Sequence, residues 1–158
     1  SLTGEKGTTT IETKAGLLFS DGSIRGVNGI SGVYFESLTT GNDYYFCVRH
    51  RNHLDVLTAS ATVATDVMTY DFTTSASMAW GLEQMKWLAN EGKAVLFSGD
   101  FNKDGTIQTT DYDQWALQPA AVNVYQQSDA NLDGIIQVSD FDYWFFNKAK
   151  LGSVEIGF

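Results

Sequence analysis

Apolar residues come in short bursts broken by turn-forming clusters through the first half of the chain, and at helical spacing only towards its end. Residues 8–14 are rich in β-formers, and 15–19 make an apolar run that stops at Ser20-Asp21-Gly22-Ser23. Runs at 24–27 and 33–38 flank the glycine-punctuated stretch 28–32. After a turn cluster at 39–43 comes the strongest strand signal, 44–51, followed by 54–59, 61–65 and 68–73. About seven or eight short strands at roughly 8–12-residue spacing predict an antiparallel β-sandwich over residues 1–75, behind a loose lead-in at 1–7.

The period changes in the connector, 76–99. Leu82, Met85 and Leu88 fall three apart, which predicts a short helix ended by Asn90-Glu91-Gly92-Lys93. Residues 94–97 read as a strand again. Trp80 and Trp87 have two readings: packing between modules, the commoner use of such residues, or exposed platforms for sugar rings. Further on, Thr110 with Asp113 and Ser139 with Asp142 predict capped helices. Tyr112, Trp115 and Ala116 would form one apolar face, and Phe141, Trp144 and Phe145 its counterpart. Pro119 ends the first helix, 120–127 links the copies, and 151–158 reads as a tail or strand. The expected fold is mainly β with a small α part: a sandwich, a connector packed between modules, and a pair of loop–helix repeats at 100–150.

The loops entering those helices carry the chemistry. Residues 100–111 read Asp-Phe-Asn-Lys-Asp-Gly-Thr-Ile-Gln-Thr-Thr-Asp. Oxygen-bearing side chains fall at positions 1, 3, 5 and 12 with glycine at position 6, the pattern of a twelve-residue calcium loop. Calcium takes six to eight oxygens, so one loop must wrap around the ion. Asp100, Asn102, Asp104 and Asp111 would supply side chains and Thr106 its carbonyl. Gly105 would make the sharp turn, and Ile107 would plug into the core. The pattern returns 29 residues on, with Asp129, Asn131, Asp133, the Ile135 carbonyl and Asp140 as ligands, Gly134 at the turn and Ile136 as the plug. Two calcium ions are expected.

Charge adds to this picture. The chain of 158 residues carries a net −9, and six of its carboxylates belong to the two loops. Two bound calcium ions would bring the net charge to about −5, which makes much of the acidity a consequence of ion binding. Nucleic acid is excluded as a partner for want of a basic stripe. No apolar run approaches the ~20 residues of a membrane span. The single Cys47 excludes an intramolecular disulfide and reads as an inert thiol in a strand. The only basic cluster is Arg49-His50-Arg51-Asn52-His53. Its favoured reading is pairing with acidic groups of the same chain near the calcium loops; an anion site or a metal site on His50 and His53 is the alternative. No nucleophile–base set or phosphate loop is present, so no catalytic residue is assigned.

A loop-then-helix duplication with Asp at position 12, spanning about residues 98–150, resembles the type I dockerin of secreted polysaccharide-degrading systems. A standard EF-hand would have a helix before the loop, where this chain has a strand signal. In dockerins the residues matching Thr109, Thr110, Val138 and Ser139 meet a cohesin partner. This chain departs from the family in having Gln108 and Gln137 at position 9, aromatic exit helices, and different residues in its two copies at the partner positions. Residues 44–54, with the Arg-His-Arg-Asn-His-Leu strand motif ahead of such a duplication, resemble a module near the C-termini of secreted Bacteroidetes proteins. That resemblance implies an exported or cell-surface protein whose first part is an immunoglobulin-like or prealbumin-like sandwich. The functional expectation is a non-enzymatic calcium-binding module. The alternative is a module that binds a cohesin-like protein or a glycan.

Overall fold

A computed structural model describes residues 9–153 except Ser31, Pro119 and Val124. The lead-in at 1–7, the expected helix break at Pro119 and most of the 151–158 tail therefore lie outside the described residues. Eight short strands precede two helices: β1 (Gly16–Leu18), β2 (Ile24–Gly26), β3 (Asp43–Tyr44), β4 (Cys47–His50), β5 (His53–Leu57), β6 (Thr62–Val63), β7 (Lys86–Leu88), β8 (Lys93–Val95), α1 (Thr109–Ala116) and α2 (Val138–Asn147). The strands pair antiparallel and two by two: β1 with β2, β3 with β6, β4 with β5, and β7 with β8. The protein is thus mixed, mostly short strands with two C-terminal helices, and no closed sandwich is formed among the described residues.

Contacts divide the chain into two compact units. Of the described residues, one unit comprises those within 9–44 and 62–68 and holds the β1–β2 and β3–β6 ladders. Its apolar residues stay largely in water: Leu17, Leu18, Ile24, Val27 and Val63 are all exposed. The β-rich stretches 8–14 and 33–38 make no strand among the described residues. Here β-propensity lacks a packed face to act against, and propensity by itself is a weak force.

The other unit comprises the described residues within 45–61 and 69–153 and contains the cores. β5 is its centre, with Leu54, Val56 and Leu57 fully or almost fully buried. β4 pairs along one edge of β5, and Leu54 N–H donates to Phe97 O (2.9 Å) along another. Val56, Ala79, Met85 and Ala94 form one cluster; Leu54, Phe97 and Ile107 form a second, with Trp144 packed on it. The single strand expected at 44–51 is split between β3 and β4, which pair with different partners.

The helix expected at 82–88 is a β-hairpin. Lys86 pairs with Val95, Trp87 with Ala94 and Leu88 with Lys93, around a turn at 89–92. The three-residue spacing of Leu82, Met85 and Leu88 misleads because Gly81 (φ 104°) and Glu83 (φ 56°) hold the backbone out of the helical region. Leu82 is exposed while Met85 is buried, so the spacing makes no common face. Residues 68–73, expected as a strand, lead instead into a 3-10 turn at Phe72–Thr74, capped by the Asp71 carboxylate.

A candidate metal centre in the duplicated loops

Each loop is shaped by its own side chains accepting backbone N–H groups. In the first, Asn102 Oδ1 accepts from Asp104 N (3.0 Å), and Asp104 Oδ1 accepts from Thr106 N (2.9 Å). In the second, Asn131 and Asp133 repeat those bonds to Asp133 N (3.0 Å) and Ile135 N (2.8 Å). Such Asx turns are the local preference of short oxygen-bearing side chains. Gly105 and Gly134 both turn at positive φ (83° and 81°), as position 6 requires. Lys103 and Leu132 at position 4 are also left-handed (φ 60° and 65°), which sequence pattern does not reveal in residues of those types.

The position-12 carboxylates do more than close the loops. Asp111 Oδ1 accepts from Phe101 N (2.7 Å) and Asn102 N (3.0 Å), and its Oδ2 accepts from Gln108 N (2.9 Å). Asp140 does the same for Ala130, Asn131 and Gln137. These bonds make Gln108 and Gln137 the N-caps, each in a capping box with its Asp three residues on. The caps expected at Thr110 and Ser139 are therefore two residues too late. Those hydroxyls instead accept from Asn102 Nδ2 (3.0 Å) and Asn131 Nδ2 (3.2 Å).

The two copies complete one another. Ile107 exchanges backbone bonds with Ala149 and Lys150, behind α2, while Ile136 exchanges them with Ala120 and Ala121, behind α1. Trp144 Nε1–H on α2 donates to Gln108 O (2.8 Å), and Trp115 Nε1–H on α1 donates to Gln137 O (3.1 Å). Each contact maps onto its counterpart by the same 29-residue offset. Ile107 and Ile136, the expected plugs, are both fully buried. Tyr112, Trp115, Phe141, Trp144 and Phe145 form a continuous aromatic cluster between the helices.

The basic cluster anchors the loops. The Arg51 guanidinium lies 3.1 Å from Asp129 Oδ2, and Asn52 Nδ2 donates to the Asp129 carbonyl. Lys103 Nζ donates to His53 O and to Asp55 Oδ1, both at 2.8 Å, and stands 3.6 Å from Asp100 Oδ2. Pairing of the cluster with acidic groups of the same chain is thus what the structure contains. Because the Asn52 amide nitrogen is committed to Asp129, its oxygen faces His53 Nδ1 (2.8 Å), which must carry the proton. His50 Nδ1, 2.9 Å from His53 Nδ1, must then accept. Burial, followed by the charges of His50, Lys103 and Arg51, pushes His53 down to about 3. Burial pushes His50 down as well. Cys47 is half-buried; burial and then Asp55's charge push its thiol up.

The chemistry of the donor sets suits a hard cation: carboxylate, amide and carbonyl oxygens, with no sulfur. Asp100, Asp111, Asp129 and Asp140 are all almost completely buried. Asp100 Oδ1 is buried with no hydrogen-bond partner, an orphaned oxygen of the kind that an ion would satisfy. Burial raises Asp100 to about 6, against the opposing charge of Lys103, and also raises Asp111. Among the described residues, no three His, Cys, Asp or Glu side chains converge tightly enough alone to hold a metal. The reason lies in the bonds above, which turn Asp104, Asp111, Asp133 and Asp140 towards N–H groups. An ion would redirect these oxygens, with Asn102, Asn131 and the Thr106 and Ile135 carbonyls completing each set.

Of the other residues singled out, Thr109, Thr110 and Val138 are exposed and Ser139 is half-buried. Trp87 is half-exposed, while Trp80 is partly buried and its carbonyl accepts from Ser153 Oγ (3.1 Å). Sequence reasoning missed Lys103, Asp55, Gln108 and Gln137 as structural members of the site. Comparison with protein families, with curated proteins and with solved structures finds no match to this chain.

Proposed function

We propose that the chain is a non-enzymatic, exported calcium-binding module. Its dockerin-like duplication takes calcium on Asp100, Asn102, Asp104, Thr106 and Asp111, and on Asp129, Asn131, Asp133, Ile135 and Asp140. The observation that carries this reading is the buried, unpartnered Asp100 Oδ1 inside a loop whose position 1, 3, 5 and 12 side chains all bear oxygen. When bound, the ion supplies positive charge to three carboxylates per loop, and binding free energy becomes folding free energy. Extracellular calcium modules work at dissociation constants as weak as ~10⁻⁴–10⁻³ M. The candidate partner surface is Thr109, Thr110, Val138 and Ser139 beside the aromatic helix faces, with Phe146 and Val138 largely exposed.

Thermal unfolding tests the reading. Excess chelator is expected to lower the midpoint by several degrees or more, and added calcium to restore it while magnesium at equal concentration does so less. A midpoint indifferent to chelator and to calcium would overturn it.

A further inference from the structure

The 29-residue symmetry fails at loop position 1. In the first loop Asp100 keeps an oxygen with no partner. In the second, both Asp129 oxygens are taken: Oδ1 accepts from Asp133 N (3.1 Å), and Oδ2 meets Gly134 N (3.1 Å) and Arg51 (3.1 Å). Both loops have a cation near position 1, but the two cations differ in what else they meet. Lys103 is 2.8 Å from Asp55, a carboxylate outside the loop, and 3.6 Å from Asp100. Among the described residues, the ion-pairing carboxylate of Arg51 is Asp129 alone. Arg51 is held there on the Tyr125 ring, 3.8 Å from its centroid, with Nε and Nη1 buried and unpartnered. Its charge is therefore committed to the second loop.

We infer that Arg51 is a tethered counter-cation of the second loop, and that the two loops are unequal calcium sites. The first fills earlier and more tightly, and the second fills only against Arg51. This inference rests on the calcium reading and says which residue sets the order of filling. A unit charge within ~5 Å of a divalent ion opposes its binding by more than tenfold even at the screening of bulk water. Arg51 approaches Asp129 from β-hairpin residues that no loop pattern includes, so the same twelve-residue signature encodes two different affinities. At calcium levels between the two constants, the protein holds one ion and keeps the Arg51–Asp129 pair.

Calorimetric calcium titration of the full chain, followed by two-dimensional NMR of the glycine amides at 105 and 134, tests this. Two binding events separated by at least tenfold are expected, with Gly105 responding first. Asp100→Asn should abolish the tighter event and Asp129→Asn the weaker one. Arg51→Gln should tighten the weaker event tenfold or more and change the tighter one less than threefold, while Arg51→Lys, which keeps the charge, stays near wild type. Equal affinities, Gly134 responding first, or a weaker second event in Arg51→Gln would overturn the inference and leave calcium binding standing. If Arg51→Gln does not fold, the order of Gly105 and Gly134 in the wild type decides alone. No binding by any variant would overturn both readings.

Discussion

Burial keeps the His53 imidazole neutral, and one amide fixes its tautomer. Asn52 gives its nitrogen to the Asp129 carbonyl, so its oxygen claims the proton on His53 Nδ1, and His50 must accept from the same atom. A charged pair would set two donors against each other beside Lys103 and Arg51, the cations facing them from loop 1 and the β4–β5 turn. The folded value of about 3 lies below the ordinary imidazole value of 6.5. Between those limits the unfolded chain binds more protons, so the contribution is full above pH 6.5 and is lost as pH falls towards 3. The loss runs at about 1.4 kcal/mol per pH unit in the steep part of that window. Asp100, raised to about 6, acts in the opposite sense over part of the range. A comparison of variants cancels the effect of Asp100. Urea unfolding of His53→Gln with chelator present is expected to show a shallower fall in stability from pH 7 to pH 5 than the wild type. Parallel pH profiles for the two proteins would refute the assignment.

At the level of elements, legibility followed how many constraints a stretch carried. The loops and exit helices were readable because a metal-ligand spacing, a glycine at a fixed turn and an aromatic face all coincide within residues 100–116 and again within 129–145. Gly105, Gly134, Ile107 and Ile136 then take the expected backbone angle and burial. The caps were misplaced because Gln108 makes a weaker sequence signal than Thr110, although Asp111 supplies the bond that sets the boundary. The helix expected at 82–88 gives way to the 86–95 hairpin because the positive φ of Gly81 and Glu83 outweighs three apolar residues at helical spacing. How the copies interlock was not legible at all, since pairing of Ile107 with Ala149–Lys150 leaves no mark in either segment. That interlock is testable through its two indoles. Trp115→Phe and Trp144→Phe each remove one donor to the other copy's cap carbonyl. Each should cost about 0.5–1.5 kcal/mol in denaturant unfolding, with Trp144→Phe the more severe because its ring also packs on Leu54, Phe97 and Ile107. If neither change alters stability, the indole bonds contribute nothing to joining the copies.

For the whole molecule, the distribution of buried carboxylates makes calcium a local stabiliser of one unit. Asp100, Asp111, Asp129 and Asp140 all lie in the unit of residues 45–61 and 69–153, which also contains both apolar clusters. β1 and β2 belong to the other unit, which contains no loop ligand. Among the described residues no helix is long and apolar enough to cross a membrane. A ligand that binds only the folded state stabilises it by about 2.7 kcal/mol at a hundredfold excess over its dissociation constant, and exchange protection rises wherever opening breaks the site. β5 should share in that rise, because Lys103 bonds to His53 O and Asp55, and Gly99 N–H to Asn52 O, tying the first loop to it. Hydrogen-exchange mass spectrometry with chelator and with calcium is therefore expected to show slower exchange across 97–118, 128–147 and β5. Amides of the β1–β2 hairpin should exchange at the same rate in both conditions. A uniform slowing over the whole chain would mean instead that the ion acts on global unfolding, with both units opening as one.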